Sequence, residues 1–294
     1  MMKKIGTLLF LAISLSFLSC NDNDDTTTMT TLTIDFTGLE PLGNDYAYEG
    51  WLIVNGSPVS TGVLRDLNFP QTLTVNSSDL SSATTFVLSI EPAIDSDPAP
   101  AATKILAGDF SGNSASLSSA GIVGDFSPST GKYILATPTD GAMTNEESGV
   151  WFLDNTTSPP TAGLSLPTLT PGWKYEGWAV IGGTPVSTGT FTNVAATDDS
   201  ALFSGPTALP SPNGADGFFP GEDFLINAPA GMTFPVDLRG ATIVISVEPS
   251  PDNSAAPFTL KPLAHMIPAS AALHTPITMG AGPVVSLTGT VTRQ

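Results

Sequence analysis

The chain is expected to be all-β, built as two tandem β-sandwich modules, and three observations in its 294 residues predict this. The composition favours strands and turns. There are 28 glycines and 26 prolines, only 12 % of residues are charged, and 41 % are hydrophobic, which suits short strands joined by turns better than Lys/Glu-rich helices. Apolar and polar residues alternate with period two in stretch after stretch, as in Leu32, Ile34 and Phe36, or Phe86, Leu88 and Ile90, the pattern of half-buried strands. A fifteen-residue stretch starting at Tyr48 returns at Tyr175 without a gap and with ten identities. A match of that length marks a repeated unit.

The N-terminus carries an address. Lys3 and Lys4 precede an apolar run from Ile5 to Phe17, so residues 1–19 read as a secretory signal too short for a stable span. The ending Phe17-Leu18-Ser19-Cys20 resembles a bacterial lipobox, with Phe17 in place of the usual leucine. Cys20, the only cysteine, is then the expected lipidation site, which also excludes an intrachain disulfide. The alternative is a plain cleaved signal with an incidental cysteine. Residues 20–29, acidic and Thr-rich, read as a tether. An acidic run behind a lipidated cysteine resembles an export signal of surface lipoproteins. The expected location is the outer membrane, surface-exposed, with a periplasm-facing anchor as the alternative.

The first module is placed at 30–125. Trp51-Leu52-Ile53-Val54 followed by Asn55-Gly56 is a hairpin signal, because both central residues of a type I′ turn need positive φ. Pro58 opens the return strand, where its missing N–H must face an edge, and Gly62 marks a bulge or close approach. The second copy has Gly182-Gly183 at the turn, with Pro185 and Gly189 repeated. A second match aligns residues 86–108 on 243–265, pairing Glu91-Pro92 with Glu248-Pro249, Asp95 with Asp252 and Lys104 with Lys261.

The second module is placed at 126–294. Its offset from the first grows between the two matches, so it carries about thirty extra residues, within an inserted segment placed at 195–240. Strand candidates at 132–136 and 149–153 could belong to either module. The insertion is rich in Gly, Pro and Asp and holds Phe218, Phe219, Phe224 and Met232. A long aromatic loop on a β scaffold is a candidate binding loop; its other reading is a cover over a sheet edge.

Tyr48-Glu49-x-Trp51, Gly56-x-Pro58-Val59-x-x-Gly62 and Ile90-Glu91-Pro92 resemble the C-terminal domain of anti-sigma-K factors. Tyr175, Glu176, Trp178, Pro185, Gly189, Glu248 and Pro249 repeat the pattern. The resemblance implies an extracytoplasmic β-sandwich of immunoglobulin-like type, used for sensing or contact. It does not extend to sigma-factor binding, because the membrane helix and the cytoplasmic segment of those factors have no counterpart here.

Chemistry is sparse. The formal charge is −18, with 27 acidic and 9 basic residues. That argues against nucleic acid or anionic lipid as an electrostatic partner. His265 and His274 match no zinc spacing, and no nucleophile elbow occurs. Glu49 with Glu91, and Glu176 with Glu248, recur in both copies, which favours a shared structural role such as accepting backbone N–H groups at a strand end. Acidic loops at Asp95-Ser96-Asp97, Asp198-Asp199, Glu222-Asp223 and Asp252-Asn253 offer oxygens, but none has an EF-hand spacing. No catalytic residue, cofactor or metal is therefore expected. The leading expectation is a non-enzymatic, lipid-anchored binding protein of the cell envelope with a protein or glycan partner. An accessory sensor in an anti-sigma-type pathway and a hydrolase using a carboxylate pair are the alternatives.

Overall fold

The computed structural model describes residues 28–209, 218–252 and 254–294. The signal segment, Cys20 and most of the tether lie outside the described residues. The first strand already begins within the expected tether, at Met29.

The N-terminal half contributes β1 (Met29–Thr37), β2 (Tyr46–Val54), β3 (Ser57–Leu64), β4 (Gln71–Asn76), β5 (Ala83–Pro92), β6 (Lys104–Ser111) and β7 (Ser114–Ser118). A short helix, α1 (Ser77–Ser82), links β4 to β5. The Asn76 side chain caps it by accepting from the Ser78 and Asp79 amides, which satisfies donors that a helix start leaves open. The β2–β3 hairpin turns through Asn55 and Gly56, both with positive φ (50° and 81°). The register slips between Gly50 and Trp51 opposite Gly62 (φ 104°), so a bulge sits where the repeated glycine predicts one.

The second half adds β8 (Thr130–Tyr133), β9 (Gly149–Trp151), β10 (Leu153–Asp154), β11 (Thr161–Ala162) and β12 (Leu164–Ser165). It continues with β13 (Trp173–Ile181), β14 (Thr184–Phe191), β15 (Gly221–Asp223), β16 (Thr242–Pro249), β17 (Lys261–Met266), β18 (Ile277–Thr278), β19 (Gly280–Val284) and β20 (Thr288–Arg293). Its main sheet has the order β14-β13-β16-β17-β19, which repeats the β3-β2-β5-β6-β7 order of the first half. The same bulge recurs between Gly177 and Trp178. Facing this sheet are small ladders, β12-β8-β18, β15-β9 and β10-β11, with Ile134 bridging to Trp151. The strand candidates at 132–136 and 149–153 thus pair with each other and with later residues, in the second unit. The fold is all-β and sandwich-like, as the alternation predicts.

The topology departs from the expected boundary in one respect. The last strand, β20, falls within 126–294, the span expected to form the second module. Its hydrogen bonds place it in the first sheet, whose full order is β3-β2-β5-β6-β7-β20-β1-β4. The ends of that order, β3 and β4, touch, so one curled sheet supplies both layers of the first unit. The physical reason is pairing: β1 and β7 each have an edge that β20 fills on both sides, from Leu32↔Arg293 to Thr37↔Thr288 and from Thr292↔Ser114 to Thr288↔Ser118. One hydrophobic cluster runs through both units, from Leu32, Phe86 and Leu106 to Phe152, Tyr175 and Leu263. The Trp173 indole donates across to the Lys104 carbonyl at 3.2 Å.

Candidate functional site: a duplicated tryptophan, serine and glutamate network

The recurring residues converge on one network in each copy. Trp51 Nε1 donates to Ser89 Oγ at 2.7 Å, and Ser89 Oγ donates to Glu91 Oε1. In the second copy Trp178 Nε1 donates to Ser246 Oγ at 2.7 Å, and Ser246 donates to Glu248 Oε1. Strand pairing explains the meeting: Trp51 lies opposite Val87 and Trp178 opposite Val244, so each serine is the diagonal neighbour of its indole. The glutamates then hold the loop that follows their strand. Glu91 accepts the Ala101 amide on both oxygens, at 2.8 and 3.1 Å. Glu248 accepts the Phe258 amide on Oε1 alone, at 2.9 Å. Lys104 and Lys261 close the same loops by donating to the Ala101 and Phe258 carbonyls.

Glu49 and Glu176 serve the hairpin instead. Each accepts a serine hydroxyl, from Ser60 and Ser187, and that serine's oxygen accepts the amide of Gly62 or Gly189 at 3.0 Å, fastening the bulge. Tyr48 and Tyr175 donate to carbonyls eight residues back, those of Glu40 and Pro167; burial pushes both phenols well above their usual range. Pro58 and Pro185 lie on β3 and β14, each at the end of its sheet order, where no donor is needed. The serines were missed in the sequence. The signal was there, since Ser-x-Glu stands at 89–91 and again at 246–248.

The copies differ at their edges. β3 is largely open to solvent, while β14 is mostly covered. The cover is the insertion: the Asp199 amide donates to the Thr190 carbonyl at 2.9 Å, and Lys174 pairs with Asp199 at 2.5 Å. The aromatics proposed for a binding loop are correspondingly packed. Phe224 is fully buried against Phe203 and Phe234, and Phe219 is buried with Ile134 and Trp151. Met232 packs half-buried on the main core, which leaves only Phe218 exposed, at 41 %. The burial of Phe219 and Phe224 places these two in edge and core cover, because a sheet edge left open exposes unpaired backbone groups.

Under this cover lies an acidic cluster. Asp223 accepts from Trp151 Nε1 and from the Thr139 amide, each at 2.7 Å. Glu222 accepts the Phe203 and Asp223 amides, and Asp198 accepts the Gly221 amide at 2.8 Å. Burial raises all three carboxyls, Asp223 to about 6 and Asp198 to about 8. A carboxyl with a raised folded-state pKa holds a proton that the unfolded chain has released, so its contribution is present below the unfolded value and is lost as pH rises through the folded value. The unfolding midpoint is therefore expected to fall between about pH 5 and pH 8. Asp198→Asn should flatten the fall, as read by thermal denaturation across that range; an unchanged slope would remove Asp198 from the account.

The histidines are engaged apart from these networks. His265 Nδ1 meets the Tyr133 hydroxyl at 2.9 Å, and His274 lies 3.0 Å from Glu146.

Comparison with known proteins gives one finding. The family model described as anti-sigma-K factor rskA, C-terminal, matches residues 25–105. That span covers β1 to β5 and reaches the start of β6, and so contains the whole first copy of the network. No curated protein and no solved structure matches the chain.

Proposed function

We propose that this is a non-enzymatic, lipid-anchored, extracytoplasmic interaction protein of the cell envelope. The observation that carries the reading is the match at 25–105 to the C-terminal part of an anti-sigma factor, on a unit whose strand order the second half repeats. The geometry of the recurring residues agrees with it. Their indoles and hydroxyls, and at least one oxygen of each carboxylate, are engaged in fastening hairpins and strand ends. The β3 strand, more exposed than its counterpart β14, is the first surface to examine for contact.

The same match favours one second reading, an accessory sensor in an anti-sigma-type envelope pathway. Crosslinking and capture from intact cells, with protease shaving of the surface alongside, separates the two. An envelope protein or glycan as the captured partner supports the first, and an anti-sigma or signalling membrane protein supports the second.

The anchor is tested separately. Cys20→Ser is expected to abolish incorporation of labelled palmitate and to move the protein from the membrane fraction to the soluble one. Lipid buried in a bilayer contributes about 0.8 kcal/mol per methylene, so the shift should be nearly complete. Equal membrane retention of Cys20→Ser and the parent would remove the lipid from the proposal.

A further inference from the structure

We infer that Glu176, Glu248 and Asp252 form a binding site for a hard divalent cation, with calcium the best fit. One carboxylate oxygen from each of the three lies within 4.8 Å of the others. Calcium holds oxygen ligands at about 2.3–2.6 Å, so oxygens at that separation can share one ion. The donor set is all carboxylate, which suits calcium, magnesium or manganese and not a soft metal.

The independent observation is a pair of orphaned atoms. Glu176 and Glu248 are 5 % and 1 % exposed, yet Oε2 of each is buried with no hydrogen-bond partner. The other oxygen of each is engaged, by Ser187 and by Ser246 with Phe258. A buried carboxylate oxygen without a donor is costly, and the cost is relieved by a proton or by a metal. A proton answers one oxygen at a time, whereas an ion answers several at once. Lys261 is the nearby cation, interacting with both Glu40 and Glu248. Its ammonium group donates to the Phe258 carbonyl at 2.5 Å, and three carboxylates against one ammonium still leave the site acidic.

The first copy supplies an internal control. Glu91 uses both oxygens on the Ala101 amide, and Glu49 is only half-buried where Glu176 is buried. Among the described residues, the second-copy triad is the one acidic group with this spacing. The sequence hid it because the three ligands come from β13, β16 and the loop after β16, with no motif spacing.

The test uses the purified whole protein with terbium and calcium as probes. Trp178, joined to Glu248 through Ser246, should sensitise terbium emission that saturates at one ion per chain and is displaced by calcium. Calcium should raise the unfolding midpoint above that in sodium chloride of equal ionic strength. Asp252→Asn, chosen because it leaves both buried glutamates in place, should weaken binding by at least the about tenfold typical of disturbing a metal site. Asp95→Asn should change nothing. The inference is overturned if calcium acts no differently from matched sodium chloride, or if the two asparagine variants lose affinity equally. A stability gain in Glu176→Gln with no response to calcium in the parent would also overturn it, in favour of the proton.

Discussion

A chain ending at Leu287 is expected to lose its folded N-terminal unit, although everything removed lies more than a hundred and fifty residues from that unit's own strands. The eight-stranded sheet places β20 between β7 and β1, not at an edge. Val291, fully buried, sits opposite Ile34 on one side and Ala115 on the other. The Arg293 guanidinium lies 3.9 Å over the Phe110 ring and donates to the Ala83 carbonyl. Burying one such valine contributes about 1.5–3 kcal/mol, and each net ladder hydrogen bond about 0.5–1.5 kcal/mol. Losing both ladders at once removes an amount comparable to the whole stability of a domain, about 5–15 kcal/mol. It also leaves β1 and β7 with unpaired edges facing each other, an invitation to aggregate. Circular dichroism and the unfolding midpoint of the truncated protein read the loss. A synthetic peptide of residues 286–294 added in trans should restore part of the signal. A truncated protein that melts like the parent would mean that β20 contributes little to the sheet.

That case also shows where the sequence is readable and where it stops. Local chemistry was legible. The turn pairs Asn55-Gly56 and Gly182-Gly183 carry the positive φ their hairpins need, and Gly62 and Gly189 sit at bulges. Phe86, Leu88 and Ile90 do share one buried face of β5, although the other face, with Val87, Ser89 and Glu91, is buried too. The partner of a strand was not legible, because alternation states that Thr288–Arg293 is a strand but says nothing about which edge it fills. The same limit applies to the site. Glu176, Glu248 and Asp252 were each visible as recurring or acidic residues, yet only the pairing of β13 with β16 brings two of them together. Asp223 and Trp151 met for a similar reason, through the two-strand ladder β15-β9.

The insertion presents the opposite problem, and its removal is the second large effect expected. Aromatics in a Gly/Pro-rich segment have no periodicity, so nothing in the sequence says which are inside. The structure buries Phe203, Phe224 and Leu238 in the main core, and buries Glu222 and Asp223 with their hydrogen bonds met. Deleting residues 200–238 is therefore expected to unfold the second unit instead of yielding a trimmed scaffold. Phe224→Ala alone should cost about 3–5 kcal/mol, the range for a large aromatic removed from a packed core. Phe218→Ala, at an exposed position, should stay within about 0.5 kcal/mol of the parent. Chemical denaturation of the two point variants separates core cover from a surface loop, since a binding loop would show the reverse: little stability lost at Phe224 and partner capture lost at both positions. A deletion variant that folds with the parent's midpoint would mean that β14 needs no cover. The contrast between its shielded edge and the open edge of β3 would then have to arise from what each edge binds, and not from how the second unit folds.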